Sequence, residues 1–320
     1  MTRSYLLKCR ISFRHLHALL SSRPGSYKVV ETLVPRIRLE ASSLVNEFCH
    51  VSVLYSDCLP LELSSGMLGN KVYVSRNSHL RQNSILRELQ KAPISSRSWY
   101  VFARDLMWAG DLEEVVSDWK GRELMTDLFL KFLSHGSNGW EQIWDLTRPR
   151  LEEYKQKFGS AWSPVSDSVL SRLSQLSKTE WTADEIRVHL VDCLNGGFAW
   201  HDSIAFATLP DIEVQKKFLA HELSELITPS QLVSEELERE GLDPGVTHTV
   251  VDMLAYFSVK DFIAKPVHSN VERKGVVPNR NYYPKVEELY SIFEDYSKNP
   301  SEYNDFASLV EKIVLRLKKS

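Results

Sequence analysis

The chain has 320 residues, of which 43% are hydrophobic, 10% aromatic and 25% charged, with a formal net charge of −3. That profile is globular and excludes a mainly disordered chain, a collagen-like repeat and a disulfide-dense mini-protein. A slightly acidic balance excludes a whole-chain basic field that holds nucleic acid by counterion release, and no apolar run approaches the roughly 20 residues that cross a bilayer.

The first thirty residues stand apart. Arg3, Lys8, Arg10, Arg14, Arg23 and Lys28 are basic, the first acid is Glu31, and Leu6, Leu7, Ile11, Leu16, Leu19 and Leu20 recur at near-helical spacing. A basic, serine-bearing, acid-free amphipathic segment over 1–26 is the composition of an organelle presequence. A start codon placed too early and an N-terminal helix packed on the body are the other readings. Cys9, Cys49, Cys58 and Cys193 contain no C-x-x-C pair, which excludes a thiolate zinc site. Reduced core thiols are expected, favouring a cytoplasmic location, with an organelle as the alternative. A Cys49–Cys58 bridge is open but not required.

Residues 27–137 form a mixed α/β region. Short apolar runs such as His50-Val51-Ser52-Val53-Leu54-Tyr55 and Lys71-Val72-Tyr73-Val74, bounded by Pro35, Pro60 and Gly66, predict strands. Helices take over from about 77, with an amphipathic stripe over 118–132 carried by Leu124, Met125, Leu128, Phe129 and Phe132. From Trp140 a helix runs to about Phe158, which Pro149 is expected to kink or divide. A short helix follows over 167–176. Then the period changes: 186–191 and 203–208 read as strands, joined by a loop containing Gly196-Gly197. Asp211 caps a helix reaching Ile227, whose buried side is Ile212, Val214, Phe218, Leu219, Leu223 and Leu226. A polar link with Glu235, Glu236, Glu238 and Glu240 leads to the turn Asp243-Pro244-Gly245. A helix over 246–264 follows, and helices over 284–296 and 301–319 make a C-terminal region, 266–320.

The most informative segment is Ala220-His221-Glu222-Leu223-Ser224-Glu225-Leu226. On a helix, positions i and i+4 share a face, so His221 and Glu225 can reach one metal ion together. Glu222 lies about 100° round the helix, where it can address a water on that ion without ligating it. This is the logic of H-E-x-x-H with glutamate in place of the second histidine. One helix later, His248 and Asp252 form a second i, i+4 pair.

The order of elements over 138–265 resembles the zincin metallopeptidases of the gluzincin type. In that family a strand, a glycine-bearing loop and an edge strand precede the metal helix, and a second helix supplies a carboxylate. The strand is matched by 186–191, the loop by 195–201, the edge strand by 203–208, and the carboxylate element by Asp252-Met253-Leu254-Ala255. The resemblance implies an α+β fold with a zincin-like domain over 138–265. It implies His221, Glu225 and Asp252 as metal ligands and Glu222 as the base; His248 matches no ligand of that family, but lies one turn before Asp252 and can add to the site. It further implies that Gly196 and Gly197 let an extended peptide approach the edge strand, that His201 reaches the scissile carbonyl, and that Trp200 lines a specificity pocket. The expected cofactor is zinc. One histidine with two carboxylates leaves a dication near zero net charge, a weaker Lewis acid, and shifts preference toward harder ions such as manganese.

Other site classes find less support. Gly66-Met67-Leu68-Gly69-Asn70-Lys71 lacks phosphate-loop spacing, and no G-x-S-x-G elbow occurs. Cys193 with His189 or His201 is a weaker nucleophile–base pair, and Trp99-Tyr100 and Tyr282-Tyr283 read as core or interface aromatics. The function expected is metal-dependent hydrolysis of a peptide or protein substrate. The alternative is a zincin-like scaffold without activity that holds an extended peptide or a partner subunit. A third, purely structural reading makes His221 a core histidine and its glutamates a solvated helix face.

Overall fold

Four short strands and a larger set of helices make a mixed α+β protein that is mostly helical. The computed structural model describes residues 34–54, 105–107, 112–118, 127, 130, 140–194, 196–200, 202–263 and 285–319, all within one compact unit that begins at Leu33. The basic segment 1–26, the expected strand at 71–74 and the expected helix over 118–132, apart from Asp118, Asp127 and Leu130, lie outside the described residues.

In chain order the elements are β1 (Arg36–Glu40), α1 (Ser43–Leu54), α2 (Leu112–Asp118), α3 (Trp140–Ser177), β2 (Glu185–Val191), β3 (Gly197–Trp200) and β4 (Ser203–Ala207). There follow α4 (Ile212–Ile227), α5 (Ser230–Arg239), α6 (Val246–Val259), α7 (Val286–Lys298), a 3-10 turn (Pro300–Glu302) and α8 (Phe306–Leu317). The sheet order is β1-β2-β4-β3, with β1, β2 and β4 parallel and β3 antiparallel to β4. The sheet therefore draws on both the region before residue 138 and the region after it. β3, within the segment expected to be the glycine loop, is the edge strand. The run at 203–208, expected at the edge, is internal as β4, paired on both sides.

Three further expectations are corrected. His50-Val51-Ser52-Val53-Leu54 is the end of α1 and not a strand. Val45, Phe48, Cys49 and Ser52 are buried at i, i+3, i+4 and i+7, a helical stripe that outweighs the β-branched content. The helices expected over 140–158 and 167–176 are one element, α3, which contains Pro149 and Pro164. A proline in a helix interior costs ~3 kcal/mol, offset here by packing: Tyr154, Phe158 and Trp162 stack in succession, each pair of ring centroids 6.2 Å apart. The polar link after Pro229 contains α5, anchored by buried Val233 and Leu237 at i, i+4.

Among the described residues, two hydrophobic cores result. Ile186, Val188 and Leu190 of β2 alternate along the strand and pack with Ile204 and Phe206 of β4 against Phe158 and Leu173 of α3 and Leu219 and Leu223 of α4. A second core gathers Val233 and Leu237 of α5, Val250, Leu254 and Phe257 of α6, Phe293 of α7, and Leu309 and Ile313 of α8. α4 faces the first core and α6 the second, and the two helices pack on each other along the seam between the cores. The cysteines Cys49 and Cys193 are buried and free, and burial pushes the Cys49 thiol up to about 12. Among the described residues no helix is long and apolar enough to cross a membrane.

Candidate metal centre

The passage from β4 into α4 is tied closely. Asp211 caps the helix, its carboxylate accepting from the backbone N–H of Glu213 and Val214. Buried Gln215 accepts from Leu209 N–H at 2.7 Å and donates to the Ala207 carbonyl at 2.9 Å. Those bonds fix where the helix starts, and so which face meets the sheet. Leu219, Ala220, Leu223 and Ile227 take the sheet side. Lys217, His221 and Glu225, spaced four apart, take the side toward α6. Ser224 Oγ stitches the two helices by donating to the Val251 carbonyl at 3.0 Å.

α6 runs opposite to α4, because Lys217 lies 3.9 Å from Asp252 while Glu225, two turns on, lies 3.7 Å from His248. Between these ends, His221 Nδ1 is 3.4 Å from Asp252 Oδ1 and its Nε2 is 3.4 Å from Glu225 Oε1. The rings of His221 and His248 meet edge to face with centroids 5.1 Å apart. One donor atom each from His221, Glu225 and His248 lies within 4.8 Å of the other two, a group able to hold a metal ion. Donors bound tetrahedrally at ~2.0–2.1 Å from zinc sit ~3.3–3.4 Å apart, so separations of 3.4 and 3.7 Å about Glu225 Oε1 fit such an ion with small adjustments. All three residues are half-buried.

The three candidate donors are two histidines and one glutamate, a composition that catalytic zinc sites use with a fourth position open. It differs from the one-histidine, two-carboxylate set that the sequence favoured. Asp252 occupies the far side of His221, on Nδ1, while Glu225 occupies Nε2. The antiparallel register explains the exchange: the first turn of α6, which carries His248, meets the last turns of α4, which carry Glu225. A carboxylate on the second ring nitrogen fixes the tautomer and orientation of a ligating histidine.

Charge in the group is balanced internally. Burial opposes a charge on His221, but hydrogen bonds and attraction from Asp252 and Glu225 overcome it and hold the imidazolium up to about 10. Glu225 is lowered: burial raises it, and the hydrogen bond and charge of His221 outweigh that. His248 is lowered to about 4, first by burial and then by the charge on His221.

Glu222 is the most constrained member. The residue is 3% exposed and its Oε2 has no hydrogen-bond partner among the described residues. Burial, reinforced by the charge of Glu225, raises its carboxyl to about 8 against the opposing effect of His221. The carboxyl points at Gly197 of β3: a Cβ built there would stand 2.5 Å from Glu222 Oε1 and 2.8 Å from Phe206 Cβ. Gly197 thus makes room for Glu222, where the sequence had assigned it to making room for a substrate. Gly196 accepts from Ala207 N–H at 2.8 Å and closes the β3–β4 end. Trp200 ends β3 with its side chain outside the described residues, and His201 lies outside them entirely. The rival pair of Cys193 and His189 is not built for nucleophilic chemistry. Burial raises the Cys193 thiol well above its ordinary range, and His189 is engaged with the Met107 carbonyl at 2.8 Å.

Lys217 is the member of the group that sequence reasoning missed; its signal was the four-residue spacing before His221. Compared with known proteins, the chain matches no family model, no curated protein and no solved structure.

Proposed function

We propose that this protein is a metal-dependent peptidase of zincin-like type, with His221, Glu225 and His248 holding a zinc or manganese ion between α4 and α6. The observation that carries the reading is the convergence of two histidines and a glutamate from antiparallel helices beside a buried carboxyl with an orphaned oxygen, Glu222 Oε2. A bound dication supplies a Lewis acid that polarises a carbonyl and acidifies water. Two neutral imidazoles and one carboxylate leave such an ion at net +1, a stronger Lewis acid than the neutral combination expected from the sequence.

The chain's own residues divide the remaining work. His221, Glu225 and His248 fix the ion's place, with Asp252 orienting His221 from behind. Glu222 accepts the proton of the attacking water and later delivers it to the leaving amine, for which a pKa near working pH is suited. Among the described residues, the adjoining strand β3 lies at the sheet edge, antiparallel to β4, where an extended peptide would pair with its outer backbone.

A second reading, a scaffold that binds an extended peptide without hydrolysing it, draws on one observation. Lys217, Asp252, His221 and Glu225 alternate in charge and partner one another directly. A single experiment separates the two. After loading with zinc or manganese, the wild type cleaves a diverse peptide mixture, while Glu222→Gln keeps the metal and loses turnover by about 10²–10⁴-fold. Hydrolysis at full rate by Glu222→Gln contradicts the mechanism, and stoichiometric peptide binding without cleavage by the wild type selects the scaffold.

A further inference from the structure

Lys217 has no part in the ligand set or in proton transfer, yet it is buried with its ammonium group 3.9 Å from Asp252 Oδ1, the same oxygen that stands 3.4 Å from His221 Nδ1. Both ends of that pair are withdrawn from water, the lysine side chain being 6% exposed and the aspartate 2%. A buried ion pair is a poor source of stability, because desolvating both ions offsets most of their attraction. Its value lies in what it fixes. Asp252 sits one turn beyond His248 on α6 and Lys217 one turn before His221 on α4, so the pair closes the end of the group opposite Glu225.

A carboxylate four residues from a ligating histidine, with rotamer freedom, is itself a hard oxygen ligand for zinc or manganese. Two carboxylates on the ion would cancel its charge and fill the position a substrate needs. Lysine is a compact point charge on a long stem and can hold a carboxylate to one side without entering the coordination itself.

We propose that Lys217 is a positioning residue: by pairing with Asp252 it holds that carboxylate against His221 Nδ1 and away from the ion, so that the ligand set stays at two histidines and one glutamate. This rests on the metal-site reading above.

The test compares wild type, Lys217→Met, Lys217→Gln and Lys217→Arg in two states. In the metal-free full-length chain, the ring ¹⁵N shifts of His221 report its contact with Asp252. Lys217→Met and Lys217→Gln are expected to shift them, and Lys217→Arg to restore the wild-type values. In the cobalt(II)-loaded chain, the wild type is expected to show the intense d–d bands of a four-coordinate ion. Lys217→Met and Lys217→Gln are expected to lose that intensity several-fold as Asp252 enters, and to release cobalt about ten-fold more slowly; Lys217→Arg again restores the wild-type spectrum. Unchanged ring shifts and an unchanged cobalt spectrum in the two neutral variants overturn the role of Lys217. A wild type that takes up no cobalt overturns the metal-site reading instead, and the ring shifts still decide whether Lys217 holds Asp252 in place.

Discussion

Glu222 and Gly197 are fitted to one another, and that fit can be measured. Gly197→Ala places a methyl group 2.5 Å from the Glu222 carboxyl, so overpacking is expected to cost about 1–3 kcal/mol. Glu222→Ala removes one of the two clashing neighbours, leaving Phe206. The Gly197→Ala cost should therefore shrink by about 1 kcal/mol in the Glu222→Ala background, a coupling that urea unfolding of the four proteins reports. The titrating groups give a second prediction for the metal-free chain. Glu222 is raised from an ordinary 4.5 to about 8, so between those values the folded state binds more protons than the unfolded state and stability falls as pH rises. His221 is raised from 6.5 to about 10; its contribution is complete below 6.5 and is lost as pH climbs through 10. His248, lowered to about 4, contributes above 6.5 and loses that contribution as pH falls toward 4. From pH 6.5 to 8 the first two act in the same direction, so the urea midpoint should drop across that window and Glu222→Gln should remove roughly half of the slope. A midpoint that rises with pH there contradicts the charge assignment. At this scale the shared helix face of His221 and Glu225 was legible in the sequence, because helical spacing is local. The placement of Asp252 on His221 Nδ1 and of Lys217 beside it was not, because which residues of α6 face which residues of α4 depends on helix direction and register, and no local pattern encodes those.

Among the elements, α4 was readable almost to its ends. Asp211 carries the capping signal and Leu219 and Leu223 the centre of the buried stripe, both short-range features, while Ile212, Val214, Phe218 and Leu226 are only half-buried and Ile227 joins the buried side unexpected. α1 was misread because Val51, Val53 and Tyr55 suggest a strand, while the deciding positions, Val45, Phe48 and Cys49, precede them. α3 was divided at Pro149 because proline propensity is strong; the stacked aromatics that help override it, Tyr154, Phe158 and Trp162, lie more than one turn beyond it. If α3 is continuous as described, Pro149 is a cost carried by the fold, and Pro149→Ala is expected to raise stability by about 1–3 kcal/mol in urea unfolding. Destabilisation by that change would show that Pro149 serves a break in the helix. β3 was taken as loop for a related reason: four residues between glycine and a turn give too short an alternation to recognise, and only the pairing with β4 defines it.

For the molecule as a whole, the seam between the two cores is where the candidate metal group lies. α4 is committed to the sheet and α6 to the helical cluster, and the polar group from Lys217 to His248 is what those two surfaces share. On the proposed function, a metal ion there would tie the cores together, and binding to the folded state alone should raise stability by about 2.7 kcal/mol at a free concentration one hundred times the dissociation constant. The mixed α+β class was visible in the sequence as a change of period after residue 185, but the contribution of β1 to the same sheet was not, since parallel pairing of strands about 150 residues apart leaves no local trace. The measurement that tests the account most directly is elemental analysis after reconstitution with zinc and manganese, on wild type, His221→Ala, His248→Ala and Asp252→Ala. Near-stoichiometric metal in the wild type is expected, lost in both histidine variants and kept by Asp252→Ala with affinity weakened about 10–100-fold. No metal in the wild type, or metal kept by His248→Ala and lost from Asp252→Ala, contradicts a centre built from His221, Glu225 and His248.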